Sequence, residues 1–348
     1  MKVLIKNKEY TLKEISRFGR EGEIYSIEGY PEQKIAKVYD DDRRTAYIQR
    51  KVTAFINKFR NLDLGGVEKF IAFPEFPVYE VDNRSFCGFL MKNFNNHTEL
   101  FDNRYDLKTS SFKNKDIDDS RAISIIATLF AYLEVLHNAG FIIGDINPDN
   151  ILLDNEAFMP AVVDFDSAQL GTYYSNTNRK SYIDPTVRTD GYGRKKHFIY
   201  TTDSDIYAMA IVCYEFIVGI HPFFFQTTIL TDTEYKKKNS LSFIDYFEEN
   251  VAKTKKFELK VFENKASKAT KERLNQIKTE HNDIYSFFKS VFSEGFRNYF
   301  VLHGSKKYNI NTGKSLQDDS YVSELLPQSK EDPEELGLFM KQYNLKLF

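Results

Sequence analysis

Residues 140–170, GFIIGDINPDNILLDNEAFMPAVVDFDSAQL, limit what this chain can fold into more than any other stretch. Two apolar triplets, Ile151-Leu152-Leu153 and Ala161-Val162-Val163, predict short buried strands, and Asp154-Asn155 begins the turn between them. Paired as a hairpin, they bring the start of the first strand beside the end of the second. Asn150 and Asp164 occupy those two places, so their side chains can converge. An amide carbonyl and a carboxylate are hard oxygen donors, suited to Mg²⁺ carrying phosphates. Asp145 precedes Asn150 by five residues in a loop that contains Pro148, and adds a carboxylate placed to take a proton from an attacking hydroxyl. Asp and Asn mark turns in most proteins, so each alone carries little weight. The ordered set, D-x4-N, two apolar triplets and D-F, is far harder to obtain by chance.

Around this segment the pattern changes once. Up to residue 94, short runs (VLI, EIYSI, KIAKVY, FPVYEV, FCGFLM) separated by Gly, Pro and Asn turns predict a small antiparallel β-rich part. One helix interrupts it from Arg43 to Phe59, with Tyr47, Ile48, Val52, Phe55, Ile56 and Phe59 at helical spacing. From about residue 118 helices take over. Asp118-Asp119-Ser120 starts a helix with Ala122, Ile125, Ile126, Leu129, Phe130, Leu133 and Leu136 on one stripe, and Gly140 ends it. A helix from Asp205 to Val218 is apolar almost all round and should be buried on all sides. A later one aligns Ile284, Phe287, Phe288, Val291 and Phe292. The Lys-rich stretch between Tyr235 and Arg273 reads as a solvated helical surface, and residues 301–348 as a polar tail with a short helix after Pro333. The chain is thus α+β, divided at 1–94, 95–300 and 301–348.

The net charge of −2, from 48 basic and 50 acidic residues, gives no pull toward nucleic acid or anionic membrane, and neither is expected as a partner. Cys87 and Cys213 lie in apolar runs and read as buried thiols. The first residues carry frequent charges and no signal-peptide core, and the longest apolar stretch, Ile206 to Val218, contains Glu215 and is too short to span a bilayer. These features indicate a cytoplasmic protein.

The motifs resemble, over roughly residues 10 to 300, the protein-kinase superfamily, and especially its bacterial, eukaryotic-like (Hanks-type) Ser/Thr kinases. The resemblance implies a bilobal fold, a β-rich N-lobe at 1–94 and a larger helical C-lobe at 95–300, with ATP and Mg²⁺ in the cleft. H-R-D-x4-N stands as Ile143-Gly144-Asp145 to Asn150, and D-F-G as Asp164-Phe165-Asp166. By that match Asp145 is the catalytic base, and Asn150 and Asp164 are the metal ligands. FGREGEIYSI resembles the phosphate-covering hairpin, with Gly19 and Gly22 at its second and third glycines and Arg17 in place of the first. KIAKVY resembles the strand of the nucleotide-binding lysine. Lys37, on one face with Ile35 and Tyr39, points into a mostly apolar cleft and needs an anion, for which the phosphates of ATP would serve. FCGFLMKNF resembles the strand and hinge between the lobes, with Met91 behind the adenine and Lys92, Asn93 and Phe94 offering backbone hydrogen bonds to it. Asp205 matches the residue that ties the catalytic loop to the buried helix, and could equally cap that helix; His137 and His221 read as structural.

Five positions depart from the pattern. No Glu lies between Arg43 and Phe59, so the partner of Lys37 falls to Gln49, the nearest polar substitute, or to Asp41 or Asp42 folding back. Gly144 replaces the Arg that grips a phosphorylated activation loop, Asn147 a Lys, and Asp166 the glycine of D-F-G; Asp184-Pro185-Thr186 stands for A-P-E. None removes a metal ligand. The expected function is therefore ATP- and Mg²⁺-dependent transfer of a γ-phosphoryl group to a Ser or Thr hydroxyl of a protein, without need of loop phosphorylation. The alternatives are an ATP-binding pseudokinase, a regulatory interaction module whose nucleotide state is read by a partner, and a kinase-fold enzyme with a small-molecule acceptor or AMP transfer.

Overall fold

The structure, a computed structural model, describes residues 1–16, 21–30, 33–190, 197–224, 242–248 and 265–292. Its N-terminal strands are β1 (Lys2–Ile5), β2 (Lys8–Ser16), β3 (Gly22–Ile27), β4 (Lys34–Tyr39), β5 (Phe76–Glu80) and β6 (Phe86–Lys92). They close into an antiparallel barrel in the order β1-β2-β3-β4-β6-β5, with β5 returning to β1. Closure removes the free edges that an open sheet would expose. Val3, Ile5, Leu12, Ala36, Val38, Val78 and Leu90 fill the interior. Five of the strands coincide with runs expected from the sequence. The sixth, β2, does not: Lys and Glu dilute its apolar positions, and pairing with β1 and β3 makes it a strand.

Between β4 and β5 runs helix α1 (Ala46–Arg60), capped by Thr45, whose Oγ1 accepts the Ile48 amide at 3.3 Å. It buries Val52, Phe55 and Ile56, as the spacing predicts, and also Lys51, which the spacing did not flag.

The helical part contains α2 (Asp119–Asn138), α3 (Thr202–Val218), α4 (Phe243–Phe247), α5 (Lys265–Glu280) and α6 (Asn282–Val291). The Asp118 carboxylate accepts the Arg121 amide at 2.8 Å to start α2, and Gly140, at φ +85°, follows its end. By length and composition alone α2 could cross a membrane; here its apolar stripe lies in the core. Helix α3 is buried nearly all round, its Tyr214 ring set edge-on to Phe288 and Phe292 of the α6 end. It starts earlier than expected, with Thr201 and Ser204 forming a capping box, so Asp205 is not the cap.

Part of the Lys-rich stretch, with the tail at 301–348 and its helix after Pro333, lies outside the described residues. The remainder is α5, and it is not wholly a solvated surface. Arg273 is buried, pairs with Asp119 and donates to the Ile217 carbonyl at 3.0 Å. Both cysteines are buried and free.

Candidate active site

The predicted hairpin forms between strands Ile151–Asp154 and Pro160–Val162, with Ile151 opposite Val162, and His97–Glu99 adds a third strand on the other side. Beyond Val162 the chain turns sharply. Asp164 takes the left-handed conformation (φ 56°, ψ 34°) and Phe165–Ser167 form a single 3-10 turn. The Phe165 ring is buried against Phe73, Phe141 and Phe55, at centroid distances of 4.5, 5.5 and 6.1 Å. That packing turns the carboxylates of Asp164 and Asp166 the other way, toward β4.

There they meet Lys37, which is 4% exposed. Its ammonium donates to Asp164 Oδ1, and to Asp166 Oδ1 and Oδ2 at 2.9 and 3.0 Å. The Tyr39 hydroxyl, on the same face of β4, donates to Asp166 Oδ2 at 2.6 Å. One expectation is corrected here: the partner of Lys37 is neither Gln49 nor an acid of the Asp41/Asp42 turn, where Asp41 pairs with Arg44 at 2.8 Å. Asp166 is the partner. A glycine at its position could not serve.

Burial would depress Lys37, but Asp164 and Asp166 outweigh it and hold the ammonium above its usual range. Burial would likewise raise Asp166; Lys37 and the Tyr39 hydroxyl reverse that, and it stays ionised. Asp164 is pushed up by burial and by Asp166, with Lys37 opposing.

The catalytic-loop residues are set by their backbone. Asp205, fully buried at the start of α3, accepts the Ile143 amide at 2.7 Å and the Gly144 amide at 2.8 Å, and contacts His137 Nε2 at 2.9 Å. A carboxylate only accepts, so Nε2 carries the proton. Asn147 and Asn150 each donate their amide to the Asp145 carbonyl, at 3.0 and 2.9 Å. Asp145 Oδ1 is buried and has no hydrogen-bond partner among the described residues. Burial first, and then Asp164, raise the Asp145 carboxyl. Arg179 reaches this edge from the loop after Asp164, donating to Asn147 Oδ1 at 3.2 Å and pairing with Asp149.

Ile24 of β3, Ile35 of β4, Leu152 and Val163 are partly buried against the apolar cluster that contains Met91 and Phe94. Of the backbone groups expected to read a base, the Asn93 amide already donates to the Gln33 carbonyl at 3.2 Å, and the Phe94 carbonyl accepts from His97 at 3.1 Å. The Lys92 ammonium donates to the Lys69 carbonyl. Gly22 opens β3, where a Cβ would stand 2.2 Å from the Val38 carbonyl, so strand approach alone requires glycine there. Gly19 lies outside the described residues. Glu21, before Gly22, pairs with Arg43 at 3.2 Å and lines a small cavity with Tyr39, Lys51 and Asp166.

These donors fit a magnesium nucleotide: Asn150 and Asp164 offer oxygens of the kind Mg²⁺ takes, Lys37 offers a fixed positive charge, and Asp145 Oδ1 offers an acceptor without a hydrogen-bond partner among the described residues.

The loop that follows is held by hydrogen bonds to other elements. The Tyr200 hydroxyl donates to the Thr177 carbonyl at 2.9 Å, the Tyr174 amide to the Tyr47 hydroxyl at 3.0 Å, and Tyr182 to Glu215 at 3.0 Å. His221, read as structural, contacts the Ser181 carbonyl at 3.0 Å. Gly144 explains its own identity: at φ +77° its Cβ position is 2.7 Å from the Tyr200 ring. Sequence reasoning did not single out Lys51, Glu21, Arg179 or Tyr200. The signal for Asp166 was present, as an acid gained in one motif and an acid missing from α1.

A family model for the protein kinase domain matches residues 78–296. Serine/threonine-protein kinase PDK1 of Cryptococcus neoformans var. grubii is 30% identical over 135 residues, 36% of this chain and 10% of that protein. Rho-associated protein kinase 1 of Homo sapiens is 29% identical over 143 residues, 38% of this chain and 10% of that protein. Serine/threonine-protein kinase mrck-1 of Caenorhabditis elegans is 28% identical over 144 residues, 39% of this chain and 8% of that protein. The chain spans about a tenth of the length of these relatives.

Proposed function

This chain belongs to the protein kinase domain family, and from that premise we propose that it transfers the γ-phosphoryl group of ATP to a Ser or Thr hydroxyl of a protein. The barrel and the helical part act as two lobes, divided near residue 94, with Mg–ATP between them. One observation carries the reading: the Lys37 ammonium pairs with the Asp164 carboxylate, whose charge reaches the Asp145 carboxyl, and Asp145 Oδ1 has no hydrogen-bond partner among the described residues.

When bound, Mg–ATP supplies the phosphoryl group and neutralises its charge. The chain supplies the rest. Asn150 and Asp164 hold the metal through oxygen, Lys37 fixes the phosphates, and Ile24, Ile35, Met91 and Leu152 enclose the base. Asp145 orients the acceptor hydroxyl and takes its proton at Oδ1, and its raised carboxyl favours that acceptance. Asp205 keeps the loop in register through the Ile143 and Gly144 amides. Free, buried Cys87 and Cys213 support a reducing, cytoplasmic setting.

A second reading, an ATP-binding module that transfers nothing, is favoured by Asn147, which is uncharged and hydrogen-bonded to the Asp145 carbonyl and the Asp149 amide. Wild type and Asp145→Asn, incubated with γ-labelled ATP and acceptor proteins while nucleotide affinity is measured, separate the two. The variant should bind ATP as wild type does and lose transfer by about 10²–10⁴-fold. Intact binding with no transfer by either protein would support the module. Transfer of label from α-labelled ATP would indicate AMP transfer instead, and equal transfer by both proteins would displace Asp145 from its role.

A further inference from the structure

Among the residues that α1 buries, Lys51 is the charged one, at 3% exposure. Its ammonium donates to the main-chain carbonyls of Ser167 and Tyr174, both at 3.3 Å, and stands 5.7 Å from the centre of the Phe55 ring. Tyr47, one turn earlier on α1, accepts the Tyr174 amide at 3.0 Å. Helix α1 therefore grips the chain at residues 167 and 174, directly after the turn that carries Asp164 and Asp166. Lys51 and Asp166 line one small cavity together with Glu21, Arg43, Tyr39 and Thr177.

A buried ammonium is costly unless its protons find acceptors and its charge finds an opposite charge nearby. The two carbonyls serve as acceptors. For charge, Asp166 attracts Lys51 more than any other acid, while burial lowers the ammonium to about 8. Asp166 thus lies between two lysines, one from β4 and one from α1, and its oxygens are hydrogen-bonded to the first. Loss of the Lys51 charge would leave the Ser167 and Tyr174 carbonyls without that donor and remove one of the cations that favour ionised Asp166.

We infer that Lys51 is a positioning residue which couples α1 to the Lys37–Asp166 pair and holds residues 167–174, so that a helix cation, and no helix acid, assembles this site. Its consequence for nucleotide rests on the function proposed above; its hold on residues 167–174 does not.

The test uses the full chain with Lys51→Met, which removes the charge and keeps the stem, and Lys51→Arg, which keeps the charge. In nucleotide-free protein, hydrogen exchange of amides 167–174 should rise by about tenfold or more in Lys51→Met, with α2 and α3 unchanged, and return toward wild type in Lys51→Arg. Affinity for Mg–ATP should fall by about tenfold in Lys51→Met and be retained in Lys51→Arg. Combination with Asp166→Asn should cost less affinity than the two single losses together. Unchanged exchange at 167–174 in Lys51→Met, an Arg variant no better than the Met variant, or additive effects with Asp166→Asn would each overturn the inference. If Lys51→Met does not fold, Lys51→Gln is read against the same outcomes. A wild type that binds no nucleotide defeats the proposed function alone, and the exchange measurement still decides on Lys51.

Discussion

Asp166 accepts the Lys37 ammonium on both carboxylate oxygens, at 2.9 and 3.0 Å, across 129 residues of sequence. The strand lysine therefore draws its acid partner from the same turn that presents Asp164. Asp166 thus supplies to Lys37 the acid that α1 lacks.

Asp166→Gly, which restores the family's residue, is expected to destabilise this protein. The Tyr39 hydroxyl loses its acceptor and buried Lys37 keeps Asp164 alone. Removal of one member of a buried, hydrogen-bonded charge group costs roughly 2–4 kcal/mol. Urea denaturation monitored by fluorescence or circular dichroism checks this, and a glycine variant as stable as wild type would refute it.

Asp205→Ala should loosen the catalytic loop before it affects the barrel. It leaves the Ile143 and Gly144 amides and the His137 ring without their shared acceptor. Each buried donor left unpaired costs about 1–3 kcal/mol, so a loss on the order of 3 kcal/mol is expected. Chemical denaturation gives the size of the loss, and hydrogen exchange its location. Protection at residues 143 and 144 equal to wild type would remove Asp205 from this role.

Phosphatase treatment should leave activity unchanged. Residues 164–185 are held by the Tyr200 hydroxyl, Tyr47, Lys51 and Tyr182, and Gly144 offers no guanidinium to a phosphate. Gly144→Arg should not create such a switch, because the left-handed backbone and the Tyr200 ring both oppose a side chain there; a cost of about 1–3 kcal/mol is expected. Activity lost on dephosphorylation and regained in step with phosphate on Tyr173, Tyr174 or Thr177 would contradict this.

Glu134, partly buried on α2, should make stability fall as pH rises. Burial alone lifts its carboxyl to about 7 from an ordinary value of 4.5. The folded state then binds the proton more tightly than the unfolded state, so the contribution is fully present below about 4.5 and is lost as pH climbs through about 7. Glu134→Gln removes this loss and should gain on the order of 2 kcal/mol at pH 8 relative to pH 5. Urea midpoints across that range test it; parallel curves for the two proteins would show that Glu134 does not titrate in this way.

Much of the scaffold was legible because it depends on local pattern. The Ile151–Asp154 and Pro160–Val162 hairpin followed from two apolar triplets and an Asp-Asn turn, and its register placed Asn150 and Asp164 at neighbouring strand ends. Helices α2 and α6 followed from their periodicity, with Gly140 marking the end of the first, and α3 from an unbroken apolar run. Strand β2 was not legible: Lys and Glu interrupt its run, and its partners on either side supply what the pattern lacks.

The amino-acid sequence by itself determined the candidate set of chemical side chains, through the spacing of Asp145, Asn150 and Asp164 and the strand bearing Lys37. Only the tertiary structure decided what those side chains meet. Lys37 and Asp166, Lys51 and Ser167, Gly144 and Tyr200, and Asn147 and Arg179 are joined across 30 to 130 residues, and such pairs leave no period in a sequence. For the pairs that involve a buried lysine, charge is the physical reason. A buried ammonium accepts whichever carboxylate or carbonyl the fold delivers within about 3 Å, so its partner is a property of packing and not of either segment alone.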